Sequence, residues 1–257
     1  MSDFVSIRIF IATIKPYRMP ERAPYIPIQV GAMGKAGIGY ERDDIGENIS
    51  FKNAHYCELT ALYWAWKHEQ ADFIGLCHYR RYFTRKEVHT IDGKWKEILS
   101  EADWLKLLAV NPVIVPDKRR YFIETNRSHY CHAHPEVGIL ECEAIIPKKY
   151  PEYEKAFLVV MNRTWAHMFN MFVMRRDLFE AYMAWLFDIL FELEKRIDMT
   201  GWDMYQQRIF GFVSEILFDV WLEANGISYF EQNVSFMENQ NWLKKGGLFL
   251  KRKFVGQ

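Results

Sequence analysis

Short runs of uncharged residues alternate with longer amphipathic segments along this chain, and this alternation restricts the possible folds more than any other feature. The runs DFIGLC at 72–77 and PVIVP at 112–116 have the length and composition of strands buried on both faces of a sheet. Three further strands are predicted, at Ser6–Ile14, Ile26–Val30 and Phe169–Met174. The spacing of apolar residues predicts helices at about 51–69, from Asp177 onward, and at about 203–224. The pattern indicates an α/β fold with a mixed, mostly parallel sheet flanked by helices, where ligands bind at the carboxyl ends of strands.

Length and charge limit the function classes. The 257 residues contain no repeat and no Gly/Ser-rich linker, so a single domain over residues 1–257 is predicted. Trp, Tyr and Phe number 9, 14 and 19, which suits a core of large side chains and, alternatively, stacking platforms for sugars or bases. Lys plus Arg and Asp plus Glu both number 33, so the basic excess typical of nucleic-acid binding is missing. Four cysteines without CxxC spacing favour reduced thiols in the cytoplasm.

A soluble protein with peripheral membrane contact is expected. The sequence shows no signal-peptide pattern and no run of the roughly 18–20 uncharged residues that a membrane span needs. Residues 241–257 interleave basic with large apolar side chains, a composition suited to the anionic inner face of the cell membrane. A solvated edge strand explains that segment equally well.

The segment His78–Arg81, which reads His-Tyr-Arg-Arg, directly follows the predicted strand at 72–77. That position puts it at the carboxyl end of a strand, facing the crevice of the sheet. Two neighbouring guanidinium groups in a crevice need an anionic partner, and a diphosphate supplies one with bidentate hydrogen bonds. Tyr79 is suited to stacking on a base or a sugar. The alternative is that Arg80 and Arg81 pair with structural carboxylates.

The segment HYCHAH at 129–134 contains the residue types that ligate zinc. A zinc site normally combines such a cluster with ligands elsewhere, and no second Cys/His cluster is present in the sequence. A loop that presents imidazoles to hydroxyls or phosphates is favoured over a metal site, and a structural loop is favoured over both. Asp43 and Asp44 form an adjacent acidic pair that could coordinate a metal ion, but they precede a predicted helix and do not follow a predicted buried strand. No metal or cofactor is predicted, with a divalent cation left as an alternative.

Arg208, Gly211 and Glu215 share one face of the last predicted helix, at positions i, i+3 and i+7. Glycine costs about 1 kcal/mol in a helix relative to alanine, so Gly211 indicates the close approach of a ligand or of another backbone. Arg208 and Glu215 form a structural ion pair in one interpretation. In the other, Glu215 or Asp203 is a general base that takes a proton from a substrate hydroxyl.

Several segments together resemble a known family. They are Asn48–Ser50 with Lys52–Asn53, CELTALYWAWK at 57–67, FIGLCHYRRYF at 73–83, SHYCHAHP at 128–135, FNMFVM at 169–174, QRIFGFVSE at 207–215 and NWLKKGGLFLKRKF at 241–254. They resemble bacterial capsular and exopolysaccharide glycosyltransferases, a family formerly catalogued as a domain of unknown function and now regarded as galactofuranosyltransferases. The resemblance implies a GT-A-like nucleotide-sugar-binding fold. It also implies transfer of galactofuranose from UDP-galactofuranose, with inversion, to a lipid-linked or oligosaccharide acceptor in capsule, exopolysaccharide or O-antigen synthesis.

The residue patterns and the resemblance together give a set of predicted site residues. The catalytic candidates are Glu215 and Asp203. Donor binding is assigned to Lys15, Asn48, Ser50, Asn53, His78, Tyr79, Arg80, Arg81 and Arg208. Acceptor binding is assigned to His129, His132, His134 and Asn170. The chain departs from the family pattern at Ile14, where a histidine is expected before Lys15, so another nucleotide sugar remains an alternative donor.

One other possibility, from a different class, follows from the same residues. A non-catalytic glycan- or lipid-binding component of a polysaccharide assembly complex would keep the aromatic residues and the basic tail without needing a donor site. Stabilisation by UDP in a thermal-shift assay distinguishes the transferase from this alternative. The oligomeric state is left open by the sequence.

Overall fold

The computed structural model describes residues 5–238, so the predicted basic segment 241–257 lies outside the described residues. The strands are β1 Ile7–Thr13, β2 Tyr25–Gln29, β3 Glu41–Arg42, β4 Phe73–His78, β5 Arg81–Phe83, β6 Val113–Pro116, β7 Arg119–Arg120, β8 Trp165–Ala166, β9 Phe172–Arg175, β10 Phe230–Gln232 and β11 Val234–Phe236. The α-helices are α1 Asn53–Tyr56, α2 Leu59–His68, α3 Ile91–Glu97, α4 Glu101–Leu108, α5 Asn126–Ala133, α6 Val137–Lys149, α7 Glu154–Asn162, α8 Arg176–Glu194 and α9 Ile209–Ala224. Three 3-10 turns lie at Ser50–Lys52, Pro151–Tyr153 and Gln206–Arg208.

The main sheet has the strand order β10-β6-β9-β4-β1-β2-β3. Strand β5 lies off this path and pairs with both β4 and β11. Strands β3, β2, β1 and β4 run parallel to one another, and β10 is parallel to β6. Strand β9 is antiparallel to both β4 and β6, so its first residues lie at the edge where β4 and β6 end. The predicted mixed, mostly parallel sheet is confirmed.

The sheet is covered on both faces, as the uncharged strand runs predict. Because side chains alternate along β1, Phe10 and Ala12 join a large core with helices α2 and α6–α9. Ile9 and Ile11 point the other way, into a smaller core that includes Trp104 of α4. Within residues 5–238, no helix is both long and apolar enough to cross a lipid bilayer.

The helix predicted at 51–69 is interrupted, so the prediction of one continuous helix was wrong. It consists of the 3-10 turn at Ser50–Lys52, the short α1 and the longer α2, and Cys57 at the break has a left-handed φ of 53°. Ser50 does not cap a helix with its side chain. Its hydroxyl binds the buried carboxylate of Asp43 instead.

Three other local predictions were wrong. The segment HYCHAH is not a loop but most of helix α5, whose amino end is capped by the Thr125 hydroxyl. Asp177 does not cap helix α8, because the guanidinium of Arg175 binds its carboxylate. The last long helix begins at Ile209 rather than at Asp203.

Candidate active site

A cluster of polar side chains lies at the edge of the sheet where β4 ends and β9 begins. His78 is the last residue of β4 and pairs with Arg81 across a two-residue hairpin turn. Side chains that face each other across paired strands lie on the same side, so both point toward α9. Asn170 precedes β9, and Glu58 follows the break between α1 and α2. Glu215, on α9, completes the group, so five separate elements meet at one edge of the sheet.

The backbone around this cluster is held in strained conformations. Cys57, Phe169 and Asn170 have φ values of 53°, 79° and 51°, in the left-handed region that side chains other than glycine rarely occupy. Such residues cost of the order of 1–3 kcal/mol each and concentrate at functional sites. The Asn170 side chain secures this geometry because its Nδ2 donates to Glu58 Oε1 at 2.8 Å and to Gly211 O at 3.1 Å. The backbone here is positioned by side chains that belong to the site itself.

Glu215 is the side chain with the most unusual electrostatics in the cluster. Burial raises its pKa to about 8, and the negative charge of Glu58 contributes in the same direction. The hydrogen bond that Oε1 accepts from Phe169 N, at 2.9 Å, opposes the shift. Glu215 nevertheless retains some exposed surface, because it lines a cavity. A carboxyl group with a pKa near 8, open to a cavity, is suited to removing a proton near neutral pH.

Arg81 is the cation of the cluster. Its guanidinium carbon lies 4.4 Å from the ring centre of Phe169 and 4.8 Å from that of Phe236. Burial lowers its pKa, and the charge of Glu58 opposes that effect. Its Nε is buried without a hydrogen-bond partner among the described residues. The side chain is therefore fixed by stacking, with hydrogen-bonding capacity left for an anion.

The two neighbouring arginines have different surroundings, and among the described residues only Arg80 pairs with a carboxylate, the alternative that the sequence left open for both. Arg80 lies in the hairpin turn, and its Nη1 forms a half-exposed ion pair with Glu238 Oε2 at 3.2 Å. It also stacks on Tyr79, with the guanidinium carbon 4.8 Å from the ring centre. The hairpin explains the separation, because only Arg81 is paired with His78.

His78 and Arg208 flank the carboxylates. His78 Nε2 lies 2.6 Å from Phe169 O, so this nitrogen carries the hydrogen, and burial lowers the pKa of the ring. Arg208 Nε donates to Cys57 Sγ at 3.1 Å. Burial raises the pKa of the Cys57 thiol to about 12, which rules it out as a thiolate nucleophile at neutral pH.

The structure brings Lys15 to the same edge but not to the Glu215 cluster. Its Nζ lies 5.8 Å from the ring centre of Tyr17 and 5.7 Å from that of Tyr79, beside Arg80. Lys15, Tyr79 and Arg80 thus form a second cationic and aromatic group at the ends of β1 and β4. Their assignment to donor binding stays a prediction.

Asn48, Ser50 and Asn53 bind the protein itself. The Asn48 amide donates to Gly46 O at 2.7 Å, and the Ser50 hydroxyl accepts from Met33 N at 3.1 Å. Asn53 Nδ2 donates to Cys57 O at 2.7 Å and so supports the strained break in the helix. In this structure these side chains shape the loops at the edge of the sheet. Direct donor contact by any of them stays a prediction.

Two of the three predicted acceptor histidines lie beside Glu215, around one cavity. His129 and His134 line it together with Tyr121, Phe212 and Glu215. The ring of His129 stacks on Tyr121 with 3.9 Å between ring centres.

Glu124 orients two of these histidines. Nδ1 of His129 and Nδ1 of His132 lie 3.0 and 2.9 Å from its two carboxylate oxygens. Burial raises the pKa of Glu124, but the two hydrogen bonds outweigh this effect and bring it below its ordinary value. With Nδ1 engaged, Nε2 of each ring is directed away from Glu124.

Asp203 does not belong to the Glu215 cluster and has a structural role. It is exposed, and its Oδ1 accepts hydrogen bonds from the backbone of Tyr205 and Gln206, both at 2.8 Å. It therefore holds the turn that leads into the 3-10 turn before α9. Asp43 is also structural, because its carboxylate accepts from Gly31 N and Ala32 N. Within the described residues, no group of His, Cys, Asp and Glu is arranged to hold a metal ion.

Sequence reasoning missed Glu58, Glu124 and the buried pair His167 and Asp219. Glu58 was concealed by the apparent continuity of the helical pattern over 51–69, and the signal available was its position inside the motif CELTALYWAWK. His167 Nδ1 lies 2.5 Å from Asp219 Oδ1, and Asp219 also accepts from His167 N. Because Asp219 is one helical turn beyond Glu215, α9 holds the segment before β9 at two successive points.

Gly211 packs against the side chain of Cys57, whereas the sequence indicated a ligand or another backbone as its close neighbour. A Cβ at this position would lie 3.2 Å from Cys57 Sγ. We expect Gly211→Ala to change the free energy of unfolding by about 1 kcal/mol or less, because better helix propensity offsets the crowding. We expect a larger loss of activity, about tenfold, because displacement of Cys57 moves Glu58. Steady-state kinetics of G211A beside G211A/C57A test this, since the smaller side chain at 57 should restore activity.

Fold and site together describe an α/β protein with a carboxylate–arginine cluster at the carboxyl edge of its sheet. Comparisons with known proteins show the family and the class of the fold. Residues 8–226 match the family model described as "Domain of unknown function (DUF4422)", so the chain belongs to that family. It is also similar to the apo structure of the bifunctional glycosyltransferase WbbM, with 32% sequence identity and a TM-score of 0.84. The match covers 91% of this chain and 46% of that chain, so this chain spans about half of its length. No curated protein matches this sequence.

Proposed function

We propose that this chain is a glycosyltransferase that transfers galactofuranose from UDP-galactofuranose, with inversion, to a glycan acceptor in capsule, exopolysaccharide or O-antigen synthesis. Its similarity to a bifunctional glycosyltransferase supports the transferase class. The observation that carries the proposal is the pairing of a proton acceptor with an anion-binding cation. Glu215, whose pKa is about 8, and Arg81, whose Nε has no partner among the described residues, interact across the same cluster.

The proposed step is one displacement. The oxygen of an acceptor hydroxyl attacks the anomeric carbon of the donor while the bond from that carbon to the diphosphate oxygen breaks. The hydroxyl proton goes to the ionised carboxylate of Glu215, and the electron pair of the broken bond leaves with UDP. Arg81 stabilises the charge that develops on the diphosphate, with Arg208 as a second cation near Glu58.

Arginine is the source of positive charge in this proposal. A guanidinium can bind two phosphate oxygens at once, and stacking between two rings fixes Arg81 in one orientation. We therefore expect turnover to continue in EDTA. Loss of turnover in EDTA with recovery in Mn²⁺ would contradict this role for Arg81.

The acceptor is proposed to enter from the side of α5. His129 and His132 are oriented by Glu124, and Tyr121 offers an aromatic face beside the Glu215 cavity. Imidazoles and aromatic rings suit a glycan, whose hydroxyls form hydrogen bonds and whose ring faces stack. The acceptor in this proposal is lipid-linked or an oligosaccharide, and the protein works at the inner face of the cell membrane.

Donor specificity is the direct test of this proposal. Purified protein is incubated with a synthetic galactoside and with UDP-galactofuranose, UDP-galactopyranose or UDP-glucose, and products are identified by mass spectrometry and NMR. We expect transfer from UDP-galactofuranose with inverted anomeric configuration. Transfer from a different donor would correct the sugar but keep the class. No transfer from any donor, together with no thermal stabilisation by UDP, would favour a non-catalytic glycan- or lipid-binding protein.

A further inference from the structure

An aromatic and an aliphatic side chain project into solvent next to the Glu215 cavity. Phe122 is 85% exposed and Ile123 is 78% exposed, although both are large and apolar. Phe122 also has a left-handed φ of 61°, and Ile123 N donates to Tyr121 O at 2.7 Å. The three residues form a γ-turn with a positive φ at its centre, a rare and strained conformation for an aromatic residue.

Both sides of this turn are firmly attached. Tyr121 N donates to Thr164 O at 2.8 Å, and the Tyr121 ring stacks on His129. After the turn, Glu124 is buried, and the Asn126 amide donates to Val160 O at 2.9 Å. The fold therefore fixes the direction in which Phe122 and Ile123 project. A strained, anchored turn with two exposed apolar side chains indicates a contact surface.

Two cations precede the turn. Arg119 and Arg120 are exposed in β7, and in residues 5–238 no carboxylate pairs with either guanidinium. Arg119 lies close enough to Glu215 for its charge to lower the pKa of that carboxyl. The segment 119–123 thus combines two exposed guanidinium groups with exposed apolar side chains at the margin of the active-site cavity.

The position of this segment follows from the sheet. It begins just after the carboxyl end of β6, at the edge of the sheet where the active site lies. A second apolar group lies near the same cavity. Phe212 lines the cavity, the ring of Tyr205 contacts Phe212 at a tilted angle, and the neighbouring Met204 is 86% exposed. Exposed apolar side chains are therefore found near the cavity from two parts of the chain.

We propose that the segment 119–123 is a membrane-docking element that binds a lipid surface carrying anionic headgroups. Phe122 and Ile123 enter the interface between headgroups and acyl chains, while Arg119 and Arg120 contact lipid phosphates. Interleaved cationic and apolar side chains are the pattern that such interfaces bind. Docking in this way turns the Glu215 cavity toward the membrane. Membrane docking by this segment does not depend on the proposed function. Only the idea that the cavity then receives a lipid-linked acceptor rests on it.

The test is co-sedimentation of the full chain with vesicles of phosphatidylcholine alone or mixed with phosphatidylglycerol. We expect binding to the anionic vesicles that weakens with added salt. F122S/I123S should bind at least about tenfold more weakly, because two buried apolar side chains are lost. Arg120→Gln should weaken binding by about fivefold. Val110→Ser is the matched control, because Val110 is 79% exposed but lies before β6, at the opposite edge of the sheet.

A second variant separates docking from folding. Phe122→Gly places a residue that tolerates positive φ in the turn, so vesicle binding should fall while the melting temperature stays the same or rises. Transfer to a water-soluble acceptor is measured in parallel and should be retained in both loop variants. Undiminished vesicle binding by F122S/I123S would overturn the proposal. Unchanged vesicle binding with loss of transfer to the soluble acceptor would make the segment part of the acceptor site and would also overturn it.

Discussion

Glu215→Gln is expected to lower kcat/KM by about 10²–10⁴-fold and at the same time to stabilise the fold at alkaline pH. The first effect follows because glutamine cannot accept the proton of the acceptor hydroxyl. The second follows because the folded protein raises the pKa of Glu215 from 4.5 to about 8, mainly through burial. Glutamine keeps an oxygen that can accept from Phe169 N but carries no charge to bury.

The sign of the stability effect depends on pH. Below about pH 4.5, Glu215 is protonated in both the folded and the unfolded chain, so its ionisation costs the fold nothing. Above that pH the unfolded chain ionises first, and stability falls until the folded pKa is passed near 8. At about 1.4 kcal/mol per pKa unit, E215Q should gain roughly 3–5 kcal/mol over the wild type above pH 8.

Urea unfolding of both proteins at acidic and alkaline pH measures this difference. Asp203→Asn is the informative comparison for activity, because Asp203 was the other candidate base and holds a turn. Its effect on kcat/KM should be much smaller than that of E215Q. A large loss in D203N together with near-normal turnover in E215Q would remove Glu215 from the proposed chemistry.

Arg81→Lys is expected to lower kcat/KM by about 10²–10³-fold, whereas Arg80→Lys should cost about fivefold or less. The two residues are adjacent and undergo the same substitution, so each controls for the other. Lysine at 81 keeps the charge but loses both the planar group that stacks between Phe169 and Phe236 and the paired hydrogen bonds to a diphosphate. Arg80 forms a half-exposed pair with Glu238, and such pairs contribute little.

The binding of UDP to the two variants completes this comparison. Isothermal titration should show weaker UDP binding for R81K than for R80K. If R80K were the more damaging substitution in both assays, the cation for the diphosphate would have to be sought in the group formed by Lys15, Tyr79 and Arg80.

The sheet was largely predictable from the sequence because its strands are buried on both faces. The run at 72–77 reads as a buried strand for that reason, and His78 and Arg81 could be placed at its carboxyl end. The different positions and contacts of the Arg80 and Arg81 side chains could not be predicted. They depend on a two-residue hairpin after β4, which the residues at 79–80 do not signal strongly.

The missed features have two different physical reasons. The break at Cys57 has no glycine or proline to mark it, and contacts from Asn53 and Arg208 hold it in place. The contact from Arg208 is distant in sequence and overrides local helix propensity, so the break was not predicted and Glu58 was taken as part of a continuous helix. In α5 the contacts are local in sequence, because the Thr125 cap and the bonds to Glu124 organise a segment that its histidines made look like a loop.

The pH dependence of kcat/KM in the wild type and in Glu58→Gln is the most direct test of the proton-transfer role. The wild-type value should rise with pH and level off with an apparent pKa of about 8, because the ionised form of Glu215 is the active one. In E58Q the rise should move to lower pH, since the neighbouring negative charge that helps to raise this pKa is gone. A wild-type profile that is flat from about pH 6 to 9, or a rise that stays in place in E58Q, would contradict the assignment of Glu215 as the base.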